Sequence, residues 1–150
     1  MSLSAQIDQH IKEAMLARQA DRLGVLRMLK AAVKNAAIEK GGADSVPADI
    51  DVVAVIRKEV KKRQDSIASF QAGNRPELAA KEEAEIQVLQ GYLPAALSEA
   101  ELEKLVREAI AEAGATGKAQ MGAVMKIAQA KAAGRADGKA LSGLVQKLLA

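Results

Sequence analysis

Glu82-Glu83-Ala84-Glu85-Ile86-Gln87-Val88-Leu89-Gln90, then Gly91-Tyr92-Leu93-Pro94, then Ala95-Ala96-Leu97-Ser98-Glu99-Ala100-Glu101-Leu102, closes one half of this chain and opens the other. Gly91 suits a helix C-terminus, where a left-handed residue is needed and glycine takes that conformation most readily. Pro94 biases Leu93 away from helix and brings no N–H, so a helix does not run through this pair. Ser98 with Glu101 is a capping box, in which each side chain satisfies an orphan amide at the start of the next helix. From Ile86 to Ser98, 13 residues pass without a charge, the longest such run in the chain. The connection therefore reads as a hinge whose Tyr92 and Leu93 are packed down rather than free to swing.

Upstream, Ser4 is the expected cap of a helix carrying Ile7, Ile11, Met15 and Leu16, and Asp21 that of a second with Leu26, Leu29, Val33 and Ala37 inward. One bent helix and two separate ones are both compatible with this pattern. Gly41 to Ala48 reads as a loop, and Asp49 or Asp51 as the start of a third helix with the stripe Val53, Ile56, Val60, Ile67 and Phe70, interrupted at Arg63. Gly73-Asn74 ends it, and Pro76 fits the first turn of a fourth helix carrying Leu78, Ile86 and Leu89. Downstream, Leu102, Leu105, Val106, Ala109 and Ile110 form one face up to Gly114. A sixth helix, about Ala119 to Ala133, turns Met121, Val124, Ile127 and Ala128 inward. The last begins near Asp137 and buries Leu141, Leu144, Val145, Leu148 and Leu149. The expected fold is all-α: a helical hairpin region over residues 1–93, then a small three-helix bundle over 94–150 that leans on the hinge and the fourth helix.

Composition agrees with helices. Alanine is abundant, 27% of residues are charged and only three are proline. With Phe70 and Tyr92 the only aromatics, the core must be built from Leu, Ile, Val, Ala and Met. No cysteine means no disulfide, no thiolate nucleophile and no cysteine-ligated zinc. The N-terminal residues lack the apolar centre of a signal peptide, and no apolar run is long enough to span a membrane, so a cytoplasmic location is expected.

The net charge of +3 is too small to prove a nucleic-acid partner, but its distribution is uneven. From Ala113 onward Lys118, Lys126, Lys131, Arg135, Lys139 and Lys147 face one acid, Asp137. The other charge run is Arg57-Lys58-Glu59-Val60-Lys61-Lys62-Arg63. Folding the third and fourth helices into an antiparallel hairpin sets Arg63 level with Ala84, facing Glu82, Glu83 and Glu85. Ion pairing within the hairpin is the preferred reading of this run, ahead of a phosphate-binding surface.

Two glycine-flanked stretches imitate phosphate loops. Gly134-Arg135-Ala136-Asp137-Gly138-Lys139-Ala140 is one residue short of a P-loop, has Ala where the metal-binding Ser or Thr belongs, and follows a helix rather than a strand. It retains the capacity to receive one backbone phosphate at a helix N-terminus, in competition with Asp137 as cap. Gly114-Ala115-Thr116-Gly117-Lys118-Ala119 departs further still, so neither is a nucleotide site. His10, the single histidine, reads as a surface or boundary residue. The acids Glu82, Glu83 and Glu85 read as salt-bridged rather than as metal ligands. No nucleophile, base and orienting group assemble, so no catalytic residue, cofactor or metal is expected.

Taken in order, several blocks resemble a known family. They are Leu23-Gly24-Val25-Leu26-Arg27-Met28-Leu29-Lys30, Lys61-Lys62-Arg63-Gln64-Asp65-Ser66-Ile67, Gly73-Asn74-Arg75-Pro76-Glu77-Leu78-Ala79 and Glu82-Glu83-Ala84-Glu85-Ile86 with Tyr92-Leu93-Pro94. Met121-Gly122-Ala123-Val124-Met125 and Gly134-Arg135-Ala136-Asp137-Gly138-Lys139 complete the set. It resembles the YqeY-like family over essentially the whole chain. Pro76 stands in place of an acid and Ala123 in place of a lysine, which removes one positive charge from the expected RNA face. The family's C-terminal unit is similar to the tail domain of GatB, a subunit of glutamine-dependent tRNA amidotransferase, and that tail is associated with tRNA binding. The resemblance implies a non-catalytic auxiliary RNA-binding protein whose partner is tRNA. Its RNA contacts are assigned to Lys118, Lys126, Arg135, Lys139 and Lys147, most of them on the sixth helix and the loops at its ends, where they are expected to share one surface. The alternative is an interaction adaptor for a synthetase or amidotransferase protein. A carbon–nitrogen ligase with glutamine as amido donor ranks last, because the sequence offers no ATP site and no glutaminase nucleophile.

Overall fold

The computed structural model describes residues 1–149, and among them every regular element is a helix. They are α1 (Leu3–Leu16), α2 (Ala20–Gly41), α3 (Asp49–Ala72), α4 (Pro76–Gln90), α5 (Glu99–Ala113), α6 (Met121–Ala132) and α7 (Gly138–Leu149), with a 3₁₀ turn at Lys118–Gln120 before α6. The chain divides into two compact units, Met1–Leu93 and Pro94–Ala150.

In the first unit α1 and α2 are separate helices. Arg18 takes a left-handed φ of 55° between them, and the Gln19 amide returns to the Ala14 carbonyl at 2.9 Å. The cap of α1 is Ser2 rather than Ser4: its hydroxyl accepts from the Ala5 amide at 3.1 Å, and Ser4 falls inside the first turn. A second orphan amide at this end, that of Leu3, donates to Asp49 Oδ1 from the start of α3 at 2.9 Å. Asp21 likewise lies within the first turn of α2 rather than capping it, where a carboxylate still favours the helix dipole. The inward face of α1 is Ile7, Ile11 and Ala14, whereas Met15 and Leu16 are 50% and 83% exposed. A methyl group is what fits where α1 meets its neighbours.

Helices α3 and α4 form a hairpin about Gly73 and Asn74, the latter at a φ of 55°. Pro76 occupies the first turn of α4, where its missing N–H costs nothing. The core joins Ile7, Leu26, Leu29, Val52, Ile56, Val60, Ile86, Leu89 and Tyr92. Each such aliphatic side chain contributes about 1.5–3 kcal/mol by leaving water. Gly91 does not adopt the left-handed conformation expected of it. Its φ is −59°, and the turn stays right-handed through Tyr92 N to Leu89 O (3.2 Å) and Leu93 N to Gln90 O (3.1 Å) until Pro94.

In the second unit the left-handed glycine ending a helix is Gly114, at a φ of 62°. The capping box at the start of α5 is complete: Glu101 N donates to Ser98 Oγ at 3.2 Å, and Ser98 N to Glu101 Oε2 at 2.9 Å. α5, α6 and α7 close around Val106, Ala109, Val124, Ala128, Ala132, Leu141, Val145 and Leu149, with Leu97, Leu102 and Leu105 packed against them. α6 ends at Ala132, because Ala133 and Gly134 are both left-handed, at φ 48° and 79°.

Candidate nucleic-acid interface

The basic C-terminal residues fall into two groups according to what they touch. Lys131, near the end of α6, reaches Glu112 at 2.7 Å and Glu108 at 3.8 Å on α5. Its hydrogen bond to Glu112 holds the ammonium above the usual lysine range. Arg107 is paired along α5 with Glu103 at 2.7 Å. Lys131 thus ties α6 to α5, whereas the Arg107 pair stays within α5.

Lys118, Lys126, Lys139 and Lys147 are different. All four are exposed, and no ion pair engages them among the described residues. Lys139 and Lys147 are two turns apart on the outward side of α7, opposite Leu141 and Val145, with Gly143 between them and open space around it. Lys126 stands on the outward side of α6, opposite Val124 and Ala128, and Lys118 opens the 3₁₀ turn before that helix. The fold thus gives Lys139 and Lys147 a common face, and sets Lys126 on α6 and Lys118 on the 3₁₀ turn before it.

Arg135 has structural work. It is half-buried, its Nε donates to the Ala95 carbonyl at 2.9 Å, and its own carbonyl accepts from Leu97 N at 3.1 Å. It therefore fastens the segment entering α5 to the α6–α7 connection. The Glu101 carboxyl sits below its usual range, mainly through the Ser98 backbone amide, with a smaller contribution from the charge of Arg135.

In both imitation phosphate loops a side chain in or beside the loop engages backbone amides. Gln120 Oε1 accepts from the Thr116 and Gly117 amides at 3.0 and 3.1 Å. At the start of α7, Asp137 Oδ1 accepts from Lys139 N at 3.3 Å. The amides that would cradle a phosphate in these loops are partly occupied. What remains for an anion is the lysine side chains.

The first unit holds a buried ion cluster centred on Arg63, which is 5% exposed in the gap in the α3 apolar stripe. Its Nε donates to Glu85 Oε2 at 2.9 Å and lies 4.0 Å from Glu82. Its Nη1 donates to Glu59 Oε2 at 2.9 Å and to the Glu59 carbonyl at 3.1 Å, and Nη2 approaches Met28 Sδ at 3.7 Å. Burial alone would lower the pKa of this guanidinium. Its hydrogen bonds to Glu59 and Glu85, with the charges of those carboxylates, outweigh it, and the pKa ends raised. Ion pairing within the hairpin is thus present. Glu59 is a partner that the hairpin register does not name, and Glu83 stays exposed outside the cluster. The i, i+4 spacing of Glu59 and Arg63 was the available signal.

His10 has a specific partner: its Nδ1 lies 2.6 Å from the Tyr92 hydroxyl, with the rings tilted at 44°. Burial pushes the Tyr92 phenol up, and Arg22, facing the same hydroxyl, partly opposes this. This contact holds the end of α4 against α1 and explains why Tyr92 is packed down.

Between α2 and α4 lies a cleft of about 730 Å³ with Gly24, Val25, Ala80, Ala84 and Val88 along its walls and Arg22 and Lys81 among its polar lining. Among the described residues no three His, Cys, Asp or Glu side chains are placed to hold a metal ion, and no helix is long and apolar enough to cross a membrane.

The family model described as YqeY-like protein matches residues 4–149. A Pyrenophora tritici-repentis protein named altered inheritance of mitochondria protein 41, mitochondrial, is 30% identical over 96% of this chain and 79% of its own length. The protein of the same name from Lachancea thermotolerans is 33% identical over 72% of this chain and 58% of its own. An uncharacterized Schizosaccharomyces pombe protein is 33% identical over 62% of this chain and 73% of its own.

Proposed function

The chain belongs to the YqeY-like family, and from that premise we propose that it is a non-catalytic auxiliary RNA-binding protein whose C-terminal unit engages the phosphates of tRNA. One observation carries this reading. Lys118, Lys126, Lys139 and Lys147 are exposed and, among the described residues, without an ion-pair partner, in a unit whose Lys131 and Arg107 have carboxylate partners. An exposed lysine is a point charge suited to a phosphate oxygen, and each such contact gains free energy by releasing counterions. Recognition by base stacking does not fit, since Tyr92 is buried and Phe70 half-buried. Arg135 acts in this reading mainly by shaping the loop that carries it. The resemblance of the C-terminal unit to the GatB tail supports tRNA as the RNA, and a cytoplasmic location belongs to the same proposal. The mitochondrial names are those of the relatives.

A second reading, an adaptor for a synthetase or amidotransferase protein, draws support from the cleft between α2 and α4 in the N-terminal unit, whose volume and small-residue walls would admit a partner's side chains. Affinity capture of the full chain from lysate, with and without RNase, separates the two. The RNA reading predicts recovered RNA of tRNA size and loss of co-purifying proteins after RNase. Partners that persist after RNase, with no RNA recovered, would replace it with the adaptor.

A further inference from the structure

Helix α3 carries a second set of exposed cations that the C-terminal reading does not use. Lys58, Lys61 and Lys62 lie on the side opposite Ile56, Val60 and Arg63, and all three are exposed. Their i, i+3, i+4 spacing makes them neighbours on one helix face, where like charges repel. A solvated lysine face is ordinarily relieved by carboxylates one turn away. Here the three glutamates nearest the run are drawn to Arg63 instead. Glu59 is turned inward, its Oε2 2.9 Å from Arg63 Nη1, so that Lys62 keeps only a 3.6 Å contact with its other oxygen. Glu82 and Glu85 of α4 converge on the same guanidinium. Asp65 is on the outward side one turn beyond the lysines, and no ion pair joins it to them. Among the described residues Lys58 and Lys61 have no side-chain partner.

The buried guanidinium thus gathers Glu59, Glu82 and Glu85 and leaves Lys58, Lys61 and Lys62 in excess over the single Asp65 on the outer face of α3. We infer that Lys58 and Lys61, with Lys62 beside them, form a second phosphate-contacting face for RNA, on the N-terminal unit itself. This rests on the RNA reading proposed above. Two ammonium groups one turn apart present donors at a spacing a polyanionic backbone can meet, and neither has a bond to another described residue to give up. The face lies away from the core, so its role is separable from folding.

The test is tRNA binding by the full chain across a salt series, comparing wild type with Lys58→Gln/Lys61→Gln. At roughly 0.7 to 0.9 per neutralised phosphate, removing both charges should flatten the slope of log affinity against log salt by roughly 1.4 to 1.8. Helicity and the unfolding midpoint should stay at wild-type values, and Lys58→Arg/Lys61→Arg should keep the wild-type slope. An unchanged slope in the Gln pair, alongside a flattened slope when Lys118, Lys126, Lys139 and Lys147 become Gln, overturns this inference and leaves the C-terminal reading intact. Absence of wild-type binding at low salt overturns both.

Discussion

Replacing Arg63 by Met removes the buried cation on which three carboxylates converge, leaving only the exposed Lys62 3.6 Å from Glu59. Glu59 and Glu85 are each 2.9 Å from the guanidinium, and Glu82 is 4.0 Å away. Breaking one side of a buried ion pair costs about 3–5 kcal/mol, because the stranded charges lose their partner without regaining full hydration. The Glu59 and Glu85 side chains remain 12% and 19% exposed, so water reaches them in part and the low end, about 3 kcal/mol, is expected. For a chain of this size that lowers Tm by about 6–12 °C. Tyr92, the single tyrosine, is buried in the core of the same unit, so near-ultraviolet circular dichroism follows this unit in particular. Adding Glu59→Gln and Glu85→Gln should recover most of the loss, since neutral groups of the same shape do not repel and need no counterion. A loss below about 1 kcal/mol, or a triple variant no more stable than the single one, would refute the view that the guanidinium holds these carboxylates together.

Two further predictions test the caps and contacts around the connection. Ser98→Ala should destabilise the protein by about 1 kcal/mol through loss of the N-cap, read by urea unfolding. Because the Glu101 carboxyl is held below its usual range, chiefly by the Ser98 amide, the contribution of that bond is present above the usual carboxylate range. It disappears as pH falls through the lowered folded value. Tyr92→Phe should cost about 0.5–1.5 kcal/mol at neutral pH by removing the bond to His10. As burial raises the Tyr92 pKa, its hydroxyl favours the folded state below its ordinary value of 10.0 and loses that effect as pH rises through the folded value, so the variant should show a shallower alkaline decline.

The helices were legible because apolar spacing and punctuation agree along most of the chain, and Ser98, Pro76 and Gly114 act where their chemistry directs. Gly91 shows the limit. A glycine at a helix end permits the left-handed state without requiring it, and Pro94 three residues later lets a right-handed turn finish the helix instead. Arg18 is the converse: a left-handed residue that ends α1 with no glycine to announce it. Apolar spacing points to Met15 over Ala14 because hydrophobicity ranks side chains by size, whereas close helix packing selects the smaller one. The gap in the α3 stripe at Arg63 did signal a buried charge, and the hairpin register named two of its partners. Lys118, Lys126, Lys139 and Lys147 were legible as charges. That they stand apart from carboxylates was not, since pairing depends on how α5 and α6 pack.

The central claim is met most directly by the affinity of the full chain for tRNA as a function of salt, in wild type and in the variant with Lys118, Lys126, Lys139 and Lys147 all replaced by Gln. The account predicts wild-type binding at low salt, weaker binding by the variant with unchanged helicity, and a salt slope flattened by roughly 0.7 to 0.9 for each phosphate the variant no longer engages. Equal slopes and affinities in the two proteins, or no wild-type binding even at low salt, would contradict it.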